Sequence, residues 1–198
     1  AAATAQVAVA SNPEFLREGA AIQDFKHPDR IVVGVEDNAA RAVLTEIYRP
    51  LHLNEGPLLF TTRRNAELIK YVANAYLATK ITFINEIADL CERTGTDVQE
   101  VAKGIGLDKR IGQKFLNAGP GYGGSCLPKD TEALLKTAAQ FGASLSLLLA
   151  VQKANETRKY NMARKVLSAC SGSVAGKRIA VLGLTFKPNT DDMRNAPS

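Results

Sequence analysis

The chain contains no tryptophan, and aromatic residues make up only 6% of its 198 positions. So small a supply of rings argues against a base-stacking platform for single-stranded nucleic acid. Long apolar runs are also missing. The longest uncharged apolar stretch, Ala143 to Val151, falls far short of the roughly 18 residues a membrane span needs. Cysteine is sparse, at three residues: Cys91, Cys126 and Cys170. An odd number at wide spacing is no disulfide framework, and no CxxC or Cys/His cluster accompanies it. No metal site is therefore expected. Reduced thiols point to the cytoplasm. Ala1 to Ala10 lack the basic start of a signal peptide, and no initiating Met is present, so a fragment or processed chain is expected. A basic tract is lacking as well. The net charge is +5 and the pI about 9.2, but Lys and Arg are scattered among acids. Duplex nucleic acid is therefore not an expected partner, whereas a small phosphorylated ligand suits such a surface.

What is present is ordinary for a globular protein: 45% hydrophobic and 23% charged residues. The length allows one to two domains with a sizeable core. The first 62 residues alternate between strand and helix signals, as in α/β structure. Val7 to Ala10, Asp29 to Val35 and Leu58 to Thr62 read as strands. Asn38 to Arg49 has helical spacing, with Pro50 as its terminator. No G-x-G-x-x-G follows a strand.

From Arg63 to about Glu92 the pattern changes. No Gly or Pro interrupts it. Ile69, Val72, Tyr76, Phe83, Ile87 and Leu90 form a helical stripe on a helix roughly 45 Å long. Leu68, Leu77, Ile81 and Ile84 lie off that stripe. The helix is therefore expected to be buried on more than one face, inside a helical domain or at a dimer interface. Gly95 ends it. Thr96 to Gln99 reads as a capping box for a short helix to Gly104. Asp130 or Thr131 caps another helix up to Gly142, and a last long helix runs from Ser146 to Cys170. After Ser171-Gly172-Ser173, Arg178 to Leu184 reads as a buried strand. With Asp29 to Val35 it would form unpaired sheet edges prone to association.

The most informative segment is Gly119 to Asp130, GPGYGGSCLPKD. Four glycines in six residues let a backbone approach a ligand closely. The spacing is neither a Rossmann fingerprint nor a P-loop. Cys126 follows the glycines and precedes a helix start. Helix N-terminal N–H groups and a nearby Lys make such a thiol a nucleophile. Asp130, four residues on, could hold or activate a water. The alternative is a Gly-rich turn with a small buried Cys and an Asp cap. Lys70 and Asn74 share one helix face, where Lys70 either snorkels or meets an anion. Glu14 and Glu18 flank the corner after Val7 to Ala10, a place where open α/β sheets bind ligands. They read equally as surface carboxylates.

Six stretches together resemble the UDP-glucose dehydrogenase family, NAD-dependent four-electron nucleotide-sugar dehydrogenases. They are Ser11 to Gly19 (SNPEFLREG), Asp29 to Gly34 (DRIVVG), Ala66 to Ala78 (AELIKYVANAYLA), Gly104 to Gly112 (GIGLDKRIG), Gly119 to Asp130, and Val181 to Ser198 (VLGLTFKPNTDDMRNAPS). The resemblance implies an α/β fragment with a mainly α-helical central domain, a long central helix and incomplete Rossmann-like sheets at both ends. Residues 1–62 would be the end of the NAD-binding domain, 63–170 the central domain and 171–198 the start of the nucleotide-sugar domain. Without the Gly-rich fingerprint, weak NAD binding and no independent activity are expected.

The same resemblance assigns roles. Cys126 matches the catalytic cysteine that forms a thiohemiacetal and then a thioester. Lys70 matches an oxyanion-stabilising lysine, and Asn74 an orienting group. Asp130 and Glu14 match carboxylates that manage water and protons. Phe15, Leu16, Arg17, Glu18, Lys114, Phe115, Leu116, Tyr122, Gly123, Gly124 and Lys187 match substrate contacts. Arg110 matches an arginine that reaches a neighbouring subunit's substrate. Glu18, Lys129 and Arg194 match cofactor contacts. NAD is the implied cofactor, UDP-glucose the implied substrate, and a homodimer through the long helix the implied assembly. Leu127 after the cysteine looks like the GDP-mannose branch. The long-helix wording and GIGLD look more like the UDP-glucose branch, which is preferred. Two other classes were open on the residues: a cysteine hydrolase using His27 or His52, and a non-catalytic helical dimerisation module.

Overall fold

Residues 7–52 and 56–198 are described by the computed structural model. Ala1 to Gln6, part of the stretch read for a signal peptide, lie outside the described residues. The chain forms two compact units, Ala1–Val72 and Ala73–Ser198, divided within its longest helix.

In the first unit, β1 (Ile31–Gly34) pairs in parallel with β2 (Leu58–Thr61), with Ile31 opposite Leu58 and Gly34 opposite Thr61. Ile31, Val32 and Val33 are buried. A continuous β-branched run suits a strand covered on both faces. Helices α1 (Ala21–Lys26) and α2 (Asn38–His52) complete the unit with the start of α3 (Arg63–Thr94). Two expectations fail here. Residues 7–10 form no strand and are exposed; only Ser11 bridges Gly34. Pro50 does not end α2 but sits inside its last turn. Its missing N–H there costs a single helical hydrogen bond.

The second unit is helical: the rest of α3, then α4 (Val98–Gly106), α5 (Leu127–Gln140) and α6 (Ser146–Ala169). Ile84, Ala102 and Leu116 form its core, with Ile87, Val98, Ile105 and Ala118 against them. The cap of α4 is Asp97, whose side chain accepts the Gln99 N–H, not Thr96, whose hydroxyl pairs with that of Thr94. The helix also runs two residues past Gly104.

The long helix arrives as expected, at 32 residues, but its most buried face is lined mainly by small residues and not by the large apolar stripe. Ala66, Ala75, Ala78, Ile84, Ala88 and Cys91 are buried, while Val72, Tyr76, Phe83 and Leu90 are half exposed or more. Small residues let neighbouring backbone come close, so the alanine face takes the core. Much of the large apolar stripe is left outside, although Ile87 packs against the core. The expected strand 178–184 also fails. These residues are irregular and exposed, Leu182 at 94%. A strand needs a ladder partner as well as β-branched residues, and none faces 178–184 among the described residues.

Candidate active site

Cys126 is exposed and occupies the N-cap of α5, one turn earlier than an Asp130 cap would place the helix start. Pro128 lies in the first turn, where a missing N–H costs nothing. The Ser125 hydroxyl lies 3.6 Å from the Cys126 thiol. Asp130 is consequently inside the first helical turn, where a carboxylate favours the helix dipole. It is 1% exposed. Asn74 Nδ2 of α3 donates to one of its oxygens at 2.6 Å, and Lys129 Nζ lies 3.2 Å from the other. The expected trio Cys126, Asn74 and Asp130 thus falls on two helices, α3 and α5, joined by the Asn74–Asp130 bond. A buried carboxylate beside an exposed thiol can hold a water or move a proton.

The glycine loop before Cys126 has no regular structure, yet its backbone is paired. Gly119 N–H donates to Asn85 Oδ1 (2.7 Å), and Arg158 Nε donates to Gly119 C=O (2.9 Å). Asn155 takes both polar groups of Tyr122, accepting its N–H at 2.8 Å and donating to its C=O at 3.1 Å. Arg158 is held in turn by Asp89, which Lys165 also pairs. Burial pulls the Asp89 carboxyl up, but these two cations outweigh it and hold it below its ordinary value. Tyr122 is buried, which pushes its phenol up, opposed by Thr131.

The sequence reading missed Asn85, Asn155, Arg158 and Asp192. The signal was available in α6. Leu148, Val151, Asn155 and Arg158 are its buried residues. Their spacing of three, four and three continues one apolar stripe into two polar side chains.

Residues 185–198 pack on the far side of the loop. Gly124 N–H donates to Arg194 C=O at 2.8 Å, and a Cβ on Gly124 would lie 2.7 Å from the Phe186 ring. Arg194 forks onto buried Asp192 through two bonds of 2.9 Å. Arg194 and the Ser125 backbone hold that carboxyl below its ordinary value. Ser125, Lys129, Arg194 and Asn195 line a cavity of about 480 Å³ beside the thiol.

In the first unit, Lys70 does not snorkel. Its side chain is 15% exposed and meets Glu14 Oε1 at 3.0 Å. It also lies 5.5 Å from the centre of the Phe15 ring, which Arg30 stacks on at 3.9 Å. Glu14 accepts the Leu16 N–H, and Arg17 forks onto Asp24. Glu18 is half-buried.

Arg110 is exposed and clamped by Asp108. Lys114 is exposed, Phe115 has a positive φ of 65°, and the Leu116 side chain is buried in the core and so is not itself turned to a ligand. Lys187 sits 5.2 Å from the neighbouring Phe186 ring. No helix among the described residues is long and apolar enough to cross a membrane.

Comparison with known proteins bears on this arrangement. A profile of the UDP-glucose/GDP-mannose dehydrogenase family, central domain, matches residues 64–157. The family's NAD binding domain profile matches residues 1–52. UDP-glucose 6-dehydrogenase of Rhizobium meliloti is 65% identical over 98% of this chain, which spans 45% of that relative. A UDP-glucose 6-dehydrogenase of Bacillus subtilis is 54% identical over 97% of the chain and is spanned to 43%. Among solved structures, a UDP-glucose dehydrogenase from Pyrobaculum islandicum superposes with a TM-score of 0.89 at 45% identity, covering 96% of this chain and 43% of that one. The chain thus spans less than half the length of the relatives it matches.

Proposed function

The chain belongs to the UDP-glucose/GDP-mannose dehydrogenase family, and from that premise we propose that it carries the cysteine segment of an NAD-dependent enzyme oxidising UDP-glucose to UDP-glucuronate. The observation that carries this reading is an exposed Cys126 at the head of α5, one turn from a buried Asp130 held by Asn74.

An alcohol becomes an acid by losing two hydrides, and the aldehyde between them must not escape. Cys126 Sγ bonds to the aldehyde carbon, and its proton passes to the carbonyl oxygen, giving a thiohemiacetal. Loss of a hydride and the hydroxyl proton leaves a thioester. Water then adds to that carbon. The C–S bond breaks, the thiol recovers a proton, and the carboxylate departs. Asp130 takes the proton from that water, oriented by Asn74. Lys70 offsets oxyanion charge, with Glu14 as its counter-ion and proton acceptor. NAD, when bound, supplies a hydride acceptor for each oxidation. Two cations and a hydroxyl lining the cavity by Cys126 are a donor set that fits a phosphate-bearing cofactor, with Lys129 and Arg194 as its holders.

By the same reading, residues 1–62 are part of the NAD domain, 63–170 the central domain and 171–198 the start of the nucleotide-sugar domain, with Rossmann-like sheets completed by the longer protein. Phe15, Leu16, Arg17, Glu18, Arg110, Lys114, Phe115, Leu116, Tyr122, Gly123, Gly124 and Lys187 keep the substrate roles given them above. The exposed stripe Val72, Tyr76, Phe83 and Leu90 supports a homodimer through α3; sedimentation as a strict monomer would count against it. The free cysteines support the cytoplasm as the compartment, and secretion of the protein would contradict that.

The test is to count NADH formed per sugar by the longer protein that contains this chain. Two NADH per UDP-glucose are expected, and Cys126→Ser should lower turnover on the order of 10³-fold or more. One NADH per sugar would overturn the mechanism. Turnover with GDP-mannose alone, which Leu127 beside the cysteine favours, would overturn the substrate.

A further inference from the structure

The polar pair Asn155 and Arg158 has no role in the chemistry above, yet both side chains are buried in the stripe where α6 would otherwise place hydrocarbon. Burying an amide and a guanidinium is costly unless each finds partners. Asn155 spends both its donor and its acceptor on one segment, taking the N–H and C=O of Tyr122, and Arg158 gives that segment its Nε–H, at Gly119 C=O, while its other bonds go to Asn85 C=O and Asp89 on α3.

That segment is the one least able to order itself. Glycines 119, 121, 123 and 124 lose more conformational freedom on folding than any other residue type. No helix or strand pairs their backbone. Asn155 treats Tyr122 as a strand would treat a partner residue, with one donor and one acceptor. Gly121 has a φ of +126°, and a Cβ there would sit 3.0 Å from Asn155 Oδ1. The loop therefore crosses directly over the anchoring amide. Four residues after Tyr122 the chain reaches Cys126.

We propose that Asn155 and Arg158 are positioning residues, which hold the glycine loop on α6 and thereby set where the Cys126 thiol stands. This rests on the reading of Cys126 as the nucleophile. Neither residue touches the reacting atoms. Their effect is geometric, and a displacement of about 1 Å at a reacting centre costs on the order of 100-fold in rate.

The experiment uses the longer protein containing this chain, with three variants. Asn155→Asp is isosteric and keeps the acceptor for the Tyr122 N–H but loses the donor to its C=O. Asn155→Leu loses both. Cys126→Ser controls for the reading itself. Turnover with UDP-glucose and NAD is measured together with the iodoacetamide alkylation rate at Cys126, read by mass spectrometry well below the melting temperature. The expected result is a graded fall in kcat, about 10-fold or more for Asn155→Leu and less for Asn155→Asp. KM should change less than threefold, and the Cys126 alkylation rate should shift in the same order. A change in fold stability alone would move neither the alkylation rate nor kcat at that temperature. If Asn155→Leu does not fold, the isosteric Asn155→Asp decides. The proposal is overturned if both Asn155 variants keep kcat and alkylation within twofold while Cys126→Ser is inactive. Full activity of Cys126→Ser would overturn the nucleophile reading, and the positioning role with it.

Discussion

Two irregular segments of the second unit behave in opposite ways. Residues 117–124 have no helix or strand, yet buried side chains from α3 and α6 pair their backbone on one side, and the segment 185–198 covers the other. Residues 174–184 are equally irregular, but Ile179, Val181, Leu182 and Leu184 stand exposed. The first segment is rich in glycine and the second in β-branched and apolar residues. Composition alone would order the second and leave the first loose. The reverse holds because a segment is ordered by the partners its neighbours offer, and among the described residues the first is offered buried side chains of two helices, whereas the second meets side-chain groups only at its ends, from Ser173 and Ser198.

The largest expected break in this contrast is Gly124→Ala. It forces an L side chain to adopt a φ of +79° and drives a Cβ to 2.7 Å from the Phe186 ring. A cost of about 1–3 kcal/mol is expected, read as a lower urea midpoint and faster amide exchange over residues 186–196. An unchanged midpoint would show that the tail does not hold the loop.

A smaller effect follows from acid. Arg194 holds Asp192 below its ordinary value, so the stabilisation is complete above the usual carboxylate range and fades as pH falls through the lowered value. Proteolysis within residues 185–198 should therefore accelerate only once the pH has fallen below the usual carboxylate range. Asp192→Asn should show fast cleavage already at neutral pH, without that acid step.

The smallest effect sharpens the contrast from the other side. Leu182 is 94% exposed, so Leu182→Ser should leave the unfolding free energy from urea titration within about 0.5 kcal/mol. A larger loss would mean that 174–184 is held after all.

These contrasts also mark what could be read from residues in order. The long helix was legible because nothing between Arg63 and Thr94 breaks it, although which face is inside was not. Alanine's advantage in close packing depends on the neighbour, and the order of residues does not name the neighbour. The head of α5 was misplaced because Asp130 resembles a cap, whereas Pro128 marked the true first turn. The strand at 178–184 was wrong for want of a partner. Cys126 and Asp130 stood out from the glycine-rich segment and Asn74 from the helix face it shares with Lys70, but only motif likeness joined them in one site, and the Asn74–Asp130 bond bridges 56 positions. Asn155 and Arg158 reach back 33 and 39 positions. A polar residue on a helix is ordinarily a solvated one, so only their place in the buried stripe of α6 could have singled them out.

The anchor behind the glycine loop has one more property. Its charges are Arg158 and Lys165 against Asp89 and Glu92, joined by the ion pairs Arg158–Asp89, Lys165–Asp89 and Lys165–Glu92. Two cations and two carboxylates leave no monopole. The potential of such a cluster dies away much faster with distance than that of a single ion. The loop can thus be gripped firmly by charged groups without a net charge being placed behind it. Mechanical placement and electrical environment become separately adjustable: Asn155 and Arg158 govern the first, while Lys129, Asp130 and the head of α5 are left to govern the second.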